Sequence, residues 1–360
     1  MSQTLLIGTY TERLSDVDGK AEGILTADFA DGVVGPTRVA AAVRNPSWIT
    51  ISEDGRFLYS VMETAEFEGG GAVAAFARDL RTGAYDLLGI APSAGAGPAH
   101  LEVDPSGRFL LVANYGTGSL AVLALTPDGG LGPLVDRVQH AGASVDAVRQ
   151  TRPHPHQVLF DPATGHVLVP DLGMDAVLVY SLHADGHLTE LRGSRIDVAA
   201  RAGPRHLAFH PDAEHLFLLN ELDNTLVALR RDGEGFISTD VKSTLREGDT
   251  GHNSASEVRV AASGRHVFTS NRGHDSVAVF AFDADNGTVD LKTLEPTRGQ
   301  QPRDFIQTLD GSLLLVANQD SDTIVTFAFD ESAPSLTFIS SRTAPTPVCL
   351  RLLDAADAIG

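Results

Sequence analysis

One motif of about twenty residues recurs six times in this chain. Its first two copies read NPSWITISEDGRFLYSVME from Asn45 and GPAHLEVDPSGRFLLVANY from Gly97. Successive copies are 52, 57, 49, 51 and 47 residues apart, counted between the equivalent positions Pro46, Pro98, Pro155, Pro204, Ala255 and Pro302. A repeat of this length that contains only strand and turn patterns is typical of a β-propeller. In a propeller one end of every blade meets at a central axis, so the repeat position alone predicts which residues converge.

Each repeat has the pattern of a strand, a tight turn and a second strand. In the second copy, Leu101 to Val103 follows a period of two, a Gly-containing turn ends at Gly107, and Phe109 to Asn114 is almost entirely apolar. A short apolar run bounded by turn residues is typical of a strand that is buried on both faces. A further strand, Ser119 to Leu125, follows the next turn. The repeats therefore predict antiparallel blades that pack face to face.

The two ends of the chain supply the pieces of one more blade. Val348 to Leu352 resembles a first strand, Leu5 to Tyr10 a second strand and Glu22 to Phe29 a third. Joining both termini in one sheet removes the exposed edges that invite aggregation. We therefore predict an all-β fold, a seven-bladed β-propeller of four-stranded antiparallel blades, as a single domain over residues 1–360.

Charge and composition exclude several classes of partner. The net charge of -20 and the pI near 4.9 argue against nucleic acid and anionic membrane surfaces, which are bound through clustered positive charge. The first residues show neither a basic start nor a long apolar run, so we predict no signal peptide and no membrane span. A single cysteine, Cys349, agrees with a reducing compartment. We expect a cytoplasmic protein that is a monomer or a weak homo-oligomer.

Two sets of repeat-equivalent positions carry polar residues. The residues that follow the proline position are Ser47-Trp48, Ala99-His100, His156-Gln157, Arg205-His206, Ser256-Glu257, Arg303-Asp304 and Val348-Cys349. The residues that follow the second strands are Tyr10, Glu63, Tyr115, Leu172, Glu221, Arg272 and Gln319. Ionisable groups that converge in a concave site are a common mark of function, although each one alone has a structural explanation. The predicted site is the channel mouth at which Trp48, His100, His156, Arg205, His206, Glu221 and Arg272 meet.

Other chemistries find less support. The chain has no G-x-S-x-G nucleophile elbow. His206 and His210 have a helical metal spacing, but in a strand that spacing separates them by ~13 Å. A calcium site of Glu63, Asn114 and Asp171 is chemically possible because calcium accepts oxygen ligands, but no ligand-dense loop supports it. We predict neither a metal nor another cofactor.

The fourth repeat resembles a known family. AGPRHLAFHP at Ala202, followed by NELDNTL at Asn220, closely resembles the lactonase-type seven-bladed propellers, which include the propeller-type 6-phosphogluconolactonases and carboxy-muconate cyclase. HPHQVLFDP at His154, SNRGHDSVAVF at Ser270 and QQPRDF at Gln300 extend the resemblance over essentially the whole chain. Since fold alone does not define substrate, the resemblance implies lactone chemistry without fixing the lactone.

The resemblance also implies a working site. The positions that match the histidine, the glutamate and the two arginines suggested for the family are His156, Arg205, Glu221 and Arg272. Further residues are expected to bind substrate: Trp48, His100, His206, Arg303 and Tyr115. The expected activity is metal-free hydrolysis of 6-phospho-D-glucono-1,5-lactone in the oxidative pentose phosphate pathway, with His156 or Glu221 as general base. The alternatives are another lactonase or a muconate-type cycloisomerase of aromatic catabolism, and a non-catalytic propeller scaffold.

Overall fold

The computed structural model describes residues 3–15 and 17–353, which form seven antiparallel sheets. The first blade consists of Ile49–Ile51, Phe57–Phe67, Gly70–Arg78 and Tyr85–Pro92. The second consists of Pro98–Val103, Phe109–Asn114, Ser119–Leu125 and Leu131–Gln139. The third consists of Leu159–Phe160, Val167–Asp171, Ala176–Leu182 and a fourth strand split into Leu188–Glu190 and Ile196–Asp197 around the 3-10 turn Arg192–Ser194. The prediction of an all-β, seven-bladed propeller is confirmed.

The other blades follow the same order. The fourth consists of Pro204–Phe209, His215–Asn220, Thr225–Asp232 and Gly235–Ser243. The fifth consists of Ser254–Val260, His266–Arg272, Ser276–Asp283 and Thr288–Pro296. The sixth consists of Pro302–Gln307, Leu313–Asn318, Thr323–Asp330 and Ser335–Thr343. The seventh consists of Pro347–Leu353, Gln3–Thr9, Ile24–Ala30 and a split fourth strand, Val33–Val34 and Arg38–Ala41.

The seventh blade closes the ring by pairing the two termini. Gln3–Thr9 lies antiparallel to Pro347–Leu353, with Leu5 opposite Leu352 and Ile7 opposite Leu350. These are the segments predicted to form the closing blade, and that prediction is confirmed. The prediction that residues 1–360 form one domain stays a prediction.

The apolar pattern of each strand decides its distance from the axis. Second strands such as Phe109–Asn114 are buried at every residue, and they pack between neighbouring blades. Fourth strands such as Tyr85–Pro92 are largely exposed and lie on the outside. First strands of neighbouring blades contact one another around much of the ring, so they surround a central channel. Within the described residues, no helix has the length and apolar composition needed to cross a membrane.

The first strands give the channel two distinct ends. We call the upper end the one at which first strands begin and second strands finish, and the lower end the one at which first strands finish. In several blades the residue after the proline position is an extra residue in the ladder. Pro204 is paired with Asn220 and His206 with Leu219, so Arg205 has no partner of its own. Such bulges redirect side chains, and here they bring charged residues to the channel.

Candidate active site

The GPRH and NEL motifs of blade four meet at the upper end of the channel. The N–H of Glu221 donates to the carbonyl oxygen of Gly203 at 2.7 Å. Gly203 has a φ of 68°, and a Cβ at this position would lie 2.5 Å from Leu222 Cγ. Only glycine suits both the positive φ and the close approach. The tight junction therefore positions Arg205, which follows the first motif's proline, beside Glu221.

Glu221 lies among three guanidinium groups. Its Oε2 is 3.0 Å from Nε of Arg205 and 3.0 Å from Nη2 of Arg272, and its Oε1 is 2.7 Å from Nη2 of Arg149. Arg205 also donates through Nη1 to the carbonyl oxygen of Ser256. Three cations and one carboxylate leave two positive charges in excess in this cluster. The upper end of the channel is therefore suited to an anionic ligand, although the whole protein is acidic.

Burial and charge perturb the ionisation of this cluster. Burial would raise the pKa of Glu221, but the charges of Arg272, Arg205 and Arg149 together hold it well below the usual range of a glutamate. Burial, together with the charge of Arg272, lowers the pKa of Arg205 to about 9. Arg205 thus stays charged at neutral pH, and Glu221 stays ionised. Both carboxylate oxygens of Glu221 are held by guanidinium groups, so we expect Glu221 to anchor the arginines rather than to take a proton from water.

Arg149 was not among the predicted site residues. It lies in the loop before blade three, where the N–H of Arg149 donates to Oδ1 of Asp146 at 2.9 Å. Its Nη2 also donates to the hydroxyl of Tyr115 at 3.0 Å, and the Tyr115 ring stacks on His154 with 4.4 Å between centroids. The available signal was the 57-residue interval between Pro98 and Pro155, the longest in the repeat, because an insertion at this end of a blade lies over the channel.

A layer of aromatic rings lies below the arginines. The ring of His156 is 5.1 Å from that of His206, and His206 lies 6.0 Å from His100 and 5.4 Å from Trp48, measured between centroids. His100 in turn packs on Trp48 at 4.3 Å. In the described part of the chain, Nδ1 of His156 and Nε2 of His206 have no hydrogen-bond partner. Unpaired ring nitrogens in a buried layer are available to a ligand or a water.

The imidazoles of this layer are neutral at pH 7. Burial, aided by the charge of Arg205, holds the pKa of both His156 and His206 well below the usual range, and burial does the same to His100. Nδ1 of His206 lies 2.9 Å from Oε2 of Glu257. An ionised carboxylate only accepts hydrogen bonds, so this contact favours a proton on Nδ1 and leaves Nε2 as an acceptor.

The structure brings the residues of the predicted channel mouth into one connected cluster. Arg205, Glu221 and Arg272 are joined by ion pairs, and the ring contacts described above connect His156 and His206 to Trp48 and His100. Trp48 and His100 also line a cavity of about 790 Å³, together with Glu102, Gln157, Glu257 and Arg351. This cavity extends to the residues at which first strands finish, so it opens at the lower end. That these seven residues form one functional site stays a prediction.

The remaining predicted residues lie beside the upper cluster. Tyr115 bonds Arg149, as described, and the guanidinium of Arg303 lies 5.3 Å from the centre of the Tyr10 ring. Tyr10 donates to Oε2 of Glu63 at 2.7 Å, and Ser47 donates to the same oxygen. Glu63 is thus occupied by hydroxyl groups, whereas the carboxylate of Asp171 bonds His140 at 2.7 Å. The calcium alternative gains no support from these separate networks.

Comparison with known proteins identifies the class. Residues 4–352 match the family described as "Lactonase, 7-bladed beta-propeller". The chain is 34% identical to a 6-phosphogluconolactonase of Bacillus subtilis over 96% of this chain and 97% of that protein. It is 30% identical to a 6-phosphogluconolactonase of Formosa agariphila, with 91% and 92% covered. A solved structure of a periplasmic gluconolactonase from Pseudomonas aeruginosa superposes with a TM-score of 0.91 at 29% identity, covering 99% of this chain and 100% of that one.

The fold and the site therefore define a propeller of the lactonase class. The chain belongs to the seven-bladed lactonase family, and the predicted family and the enzyme class of lactonase are confirmed. The roles of individual residues stay predictions, because the comparisons identify no site residue.

Proposed function

We propose that this protein hydrolyses a phosphorylated sugar lactone, most specifically 6-phospho-D-glucono-1,5-lactone, to the open-chain acid. The observation that carries the proposal is the cluster of Arg149, Arg205 and Arg272 around one carboxylate, directly above a layer of neutral imidazoles. The two 6-phosphogluconolactonase relatives support the choice of substrate.

The arginines divide between substrate binding and catalysis. Guanidinium groups match phosphate oxygens in pairs, and Arg149, Arg272 and Arg303 are the residues we assign to the phosphate. Arg205 is assigned to the lactone carbonyl. Its buried position matters because a charge is most effective on an oxyanion where water is excluded.

His156 is the residue we assign as general base. Its imidazole takes a proton from water, the water oxygen bonds to the lactone carbonyl carbon, and Arg205 stabilises the resulting oxyanion. The intermediate then breaks the bond between the carbonyl carbon and the ring oxygen, which takes up the proton and leaves as a hydroxyl group. The lowered pKa keeps His156 neutral well below pH 6.5, so the base form persists in mildly acidic solution.

One alternative substrate has its own support. The Pseudomonas structure is a gluconolactonase, so an unphosphorylated lactone is the main competitor. The proposal also includes a role in the pentose phosphate pathway, a cytoplasmic location and a monomeric or weakly oligomeric state. Each of these is tested by its own measurement.

The test is stopped-flow hydrolysis of a lactone panel, with the uncatalysed opening of each lactone subtracted. We expect kcat/KM for the 6-phosphorylated lactone to exceed that for the unphosphorylated one by at least tenfold. Arg149→Ala should raise KM, whereas Arg152→Ala, which alters an exposed arginine of the same loop, should not. Equal rates on both lactones would reject phosphate recognition, and no turnover of any lactone would reject the proposal.

A further inference from the structure

A second cluster of ionisable groups lies at the lower end of blade four. In the turn between the first and second strands, Nδ1 of His210 is 2.9 Å from Oδ1 of Asp212, and Nδ1 of His215 is 2.8 Å from Oδ2 of the same carboxylate. Within residues 3–15 and 17–353, this is the one group of three or more His, Cys, Asp or Glu side chains with donor atoms close enough to hold a metal ion.

The hydrogen bonds of His210 fix which ring nitrogen carries the proton. Nε2 lies 3.2 Å from the carbonyl oxygen of Gly264, which only accepts, so Nε2 carries the hydrogen. Nδ1 then carries an unshared electron pair, which accepts a hydrogen bond from the N–H of Asp212 at 3.2 Å. The same lone pair faces Oδ1 of Asp212, another acceptor, at 2.9 Å. Two acceptors at this distance are held together either by a shared proton or by a metal ion that lies beside both atoms.

The surroundings hold both imidazoles in place. The Phe282 ring lies 5.3 Å from His210 and 5.1 Å from His215, between centroids. Gly264 leaves room for His210, because a Cβ there would lie 2.2 Å from Nε2. A carbonyl that receives the outer N–H of a histidine is the usual support of a metal-binding imidazole.

In blades one and six the equivalent turn closes without an imidazole at the position of His210. Ser52 donates to Asp54 at 2.6 Å in blade one, and Thr308 donates to Asp310 at 2.6 Å in blade six. A hydroxyl and a carboxylate are sufficient for this turn. The imidazole of His210 is thus beyond what the turn requires.

We propose that His210, Asp212 and His215 form a binding site for a divalent transition-metal ion such as Zn²⁺. Two imidazole nitrogens and one carboxylate oxygen are a normal donor set for zinc, and water completes the coordination. The site lies at the opposite end of the channel from the arginine cluster, and the carbonyl of Gly264 connects it to blade five. Its role is therefore independent of lactone hydrolysis.

The experiment is calorimetric titration of the full chain with Zn²⁺ at pH 7.5, after removal of bound metal. We expect one site, with affinity reduced at least tenfold by His210→Ala, Asp212→Asn or His215→Ala. The matched control is His183→Ala. The segment from His183 to His187 also contains two histidines and an aspartate within five residues, but His183 bonds Thr189 instead. This control should leave the affinity unchanged.

A second measurement keeps the proposal testable if a variant unfolds. In the unaltered chain, lowering the pH from 7.5 to 5.5 should weaken Zn²⁺ binding at least tenfold, because ligating imidazoles must be neutral. Absence of Zn²⁺ binding, binding that survives all three substitutions in folded variants, or an equal loss in His183→Ala would each overturn the site. Nitrogen NMR spectra at pH 7.5, recorded before and after Zn²⁺ is added, give one more check. The site would also be overturned if both spectra showed His210 doubly protonated and unchanged.

Discussion

Removing the carboxylate of Glu221 should destabilise the protein strongly without leaving a cavity, because glutamine has nearly the same shape. Each of the three ion pairs has a Coulomb energy of about 4 kcal/mol for charges ~4 Å apart at an effective dielectric constant of 20. The cost of burying Glu221 offsets much of their sum. Breaking a buried pair on one side usually costs about 3–5 kcal/mol, and we expect Glu221→Gln to lose that much stability at pH 7.5.

The assay is urea denaturation with and without inorganic phosphate. Glu63→Gln is the matched control, since Glu63 also follows a second strand but accepts hydrogen bonds from the hydroxyls of Tyr10 and Ser47. Phosphate should stabilise Glu221→Gln more than the unaltered chain, because three guanidinium groups then lack a counter-ion. If Glu221→Gln lost no more stability than Glu63→Gln, the electrostatic account of the cluster would be wrong.

Three further predictions concern closure, catalysis and acid stability. Deleting residues 1–12 removes the strand Gln3–Thr9 from the seventh blade and should lower the melting temperature sharply; unchanged melting would contradict closure by both termini. Arg205→Ala should lower kcat by roughly a hundred- to a thousandfold, the scale of a lost oxyanion donor, and Arg205→Lys should restore only part; near-normal rates in folded variants would remove Arg205 from the mechanism. Below about pH 6.5 three buried imidazoles, His100, His156 and His206, become protonated in the unfolded chain but stay neutral in the folded one. As the pH falls, the free energy of unfolding should therefore decrease by about 1.4 kcal/mol per pH unit for each imidazole. Protonation of Glu102, whose pKa burial raises to about 7, and of Glu257, whose pKa burial also raises, should offset part of this decrease; a urea midpoint that is equal at pH 7.5 and 5.5 would refute this balance.

The fold was predictable because its signals are local and repeated. Six copies of one strand-turn-strand pattern fix the blade, and the two unmatched termini have no other place than the seventh blade. Boundaries moved only slightly, as in the first strand of the chain, which ends at Thr9 instead of Tyr10.

The site was predictable only where it follows the repeat. Glu221 and Arg272 occupy equivalent positions of neighbouring blades, and Arg205 belongs to the set that follows the proline position. The structure joins the three by contacts of 3.0 Å. Arg149 lies in a loop with no counterpart in the other repeats, so periodicity carries no information about it.

The arginine cluster is itself an argument for an anionic ligand. Uncompensated buried charge is costly, and a cluster made only for stability would be neutral. Here one carboxylate serves three guanidinium groups, and burial has already lowered the pKa of Arg205 to about 9. An anion that enters the channel supplies the missing counter-charge. It relieves the electrostatic repulsion that remains among the guanidinium groups of the folded protein, and this relief favours binding. The same reasoning explains why Glu221 is needed: without it, the cluster would hold three charges together with nothing between them until the ligand arrived.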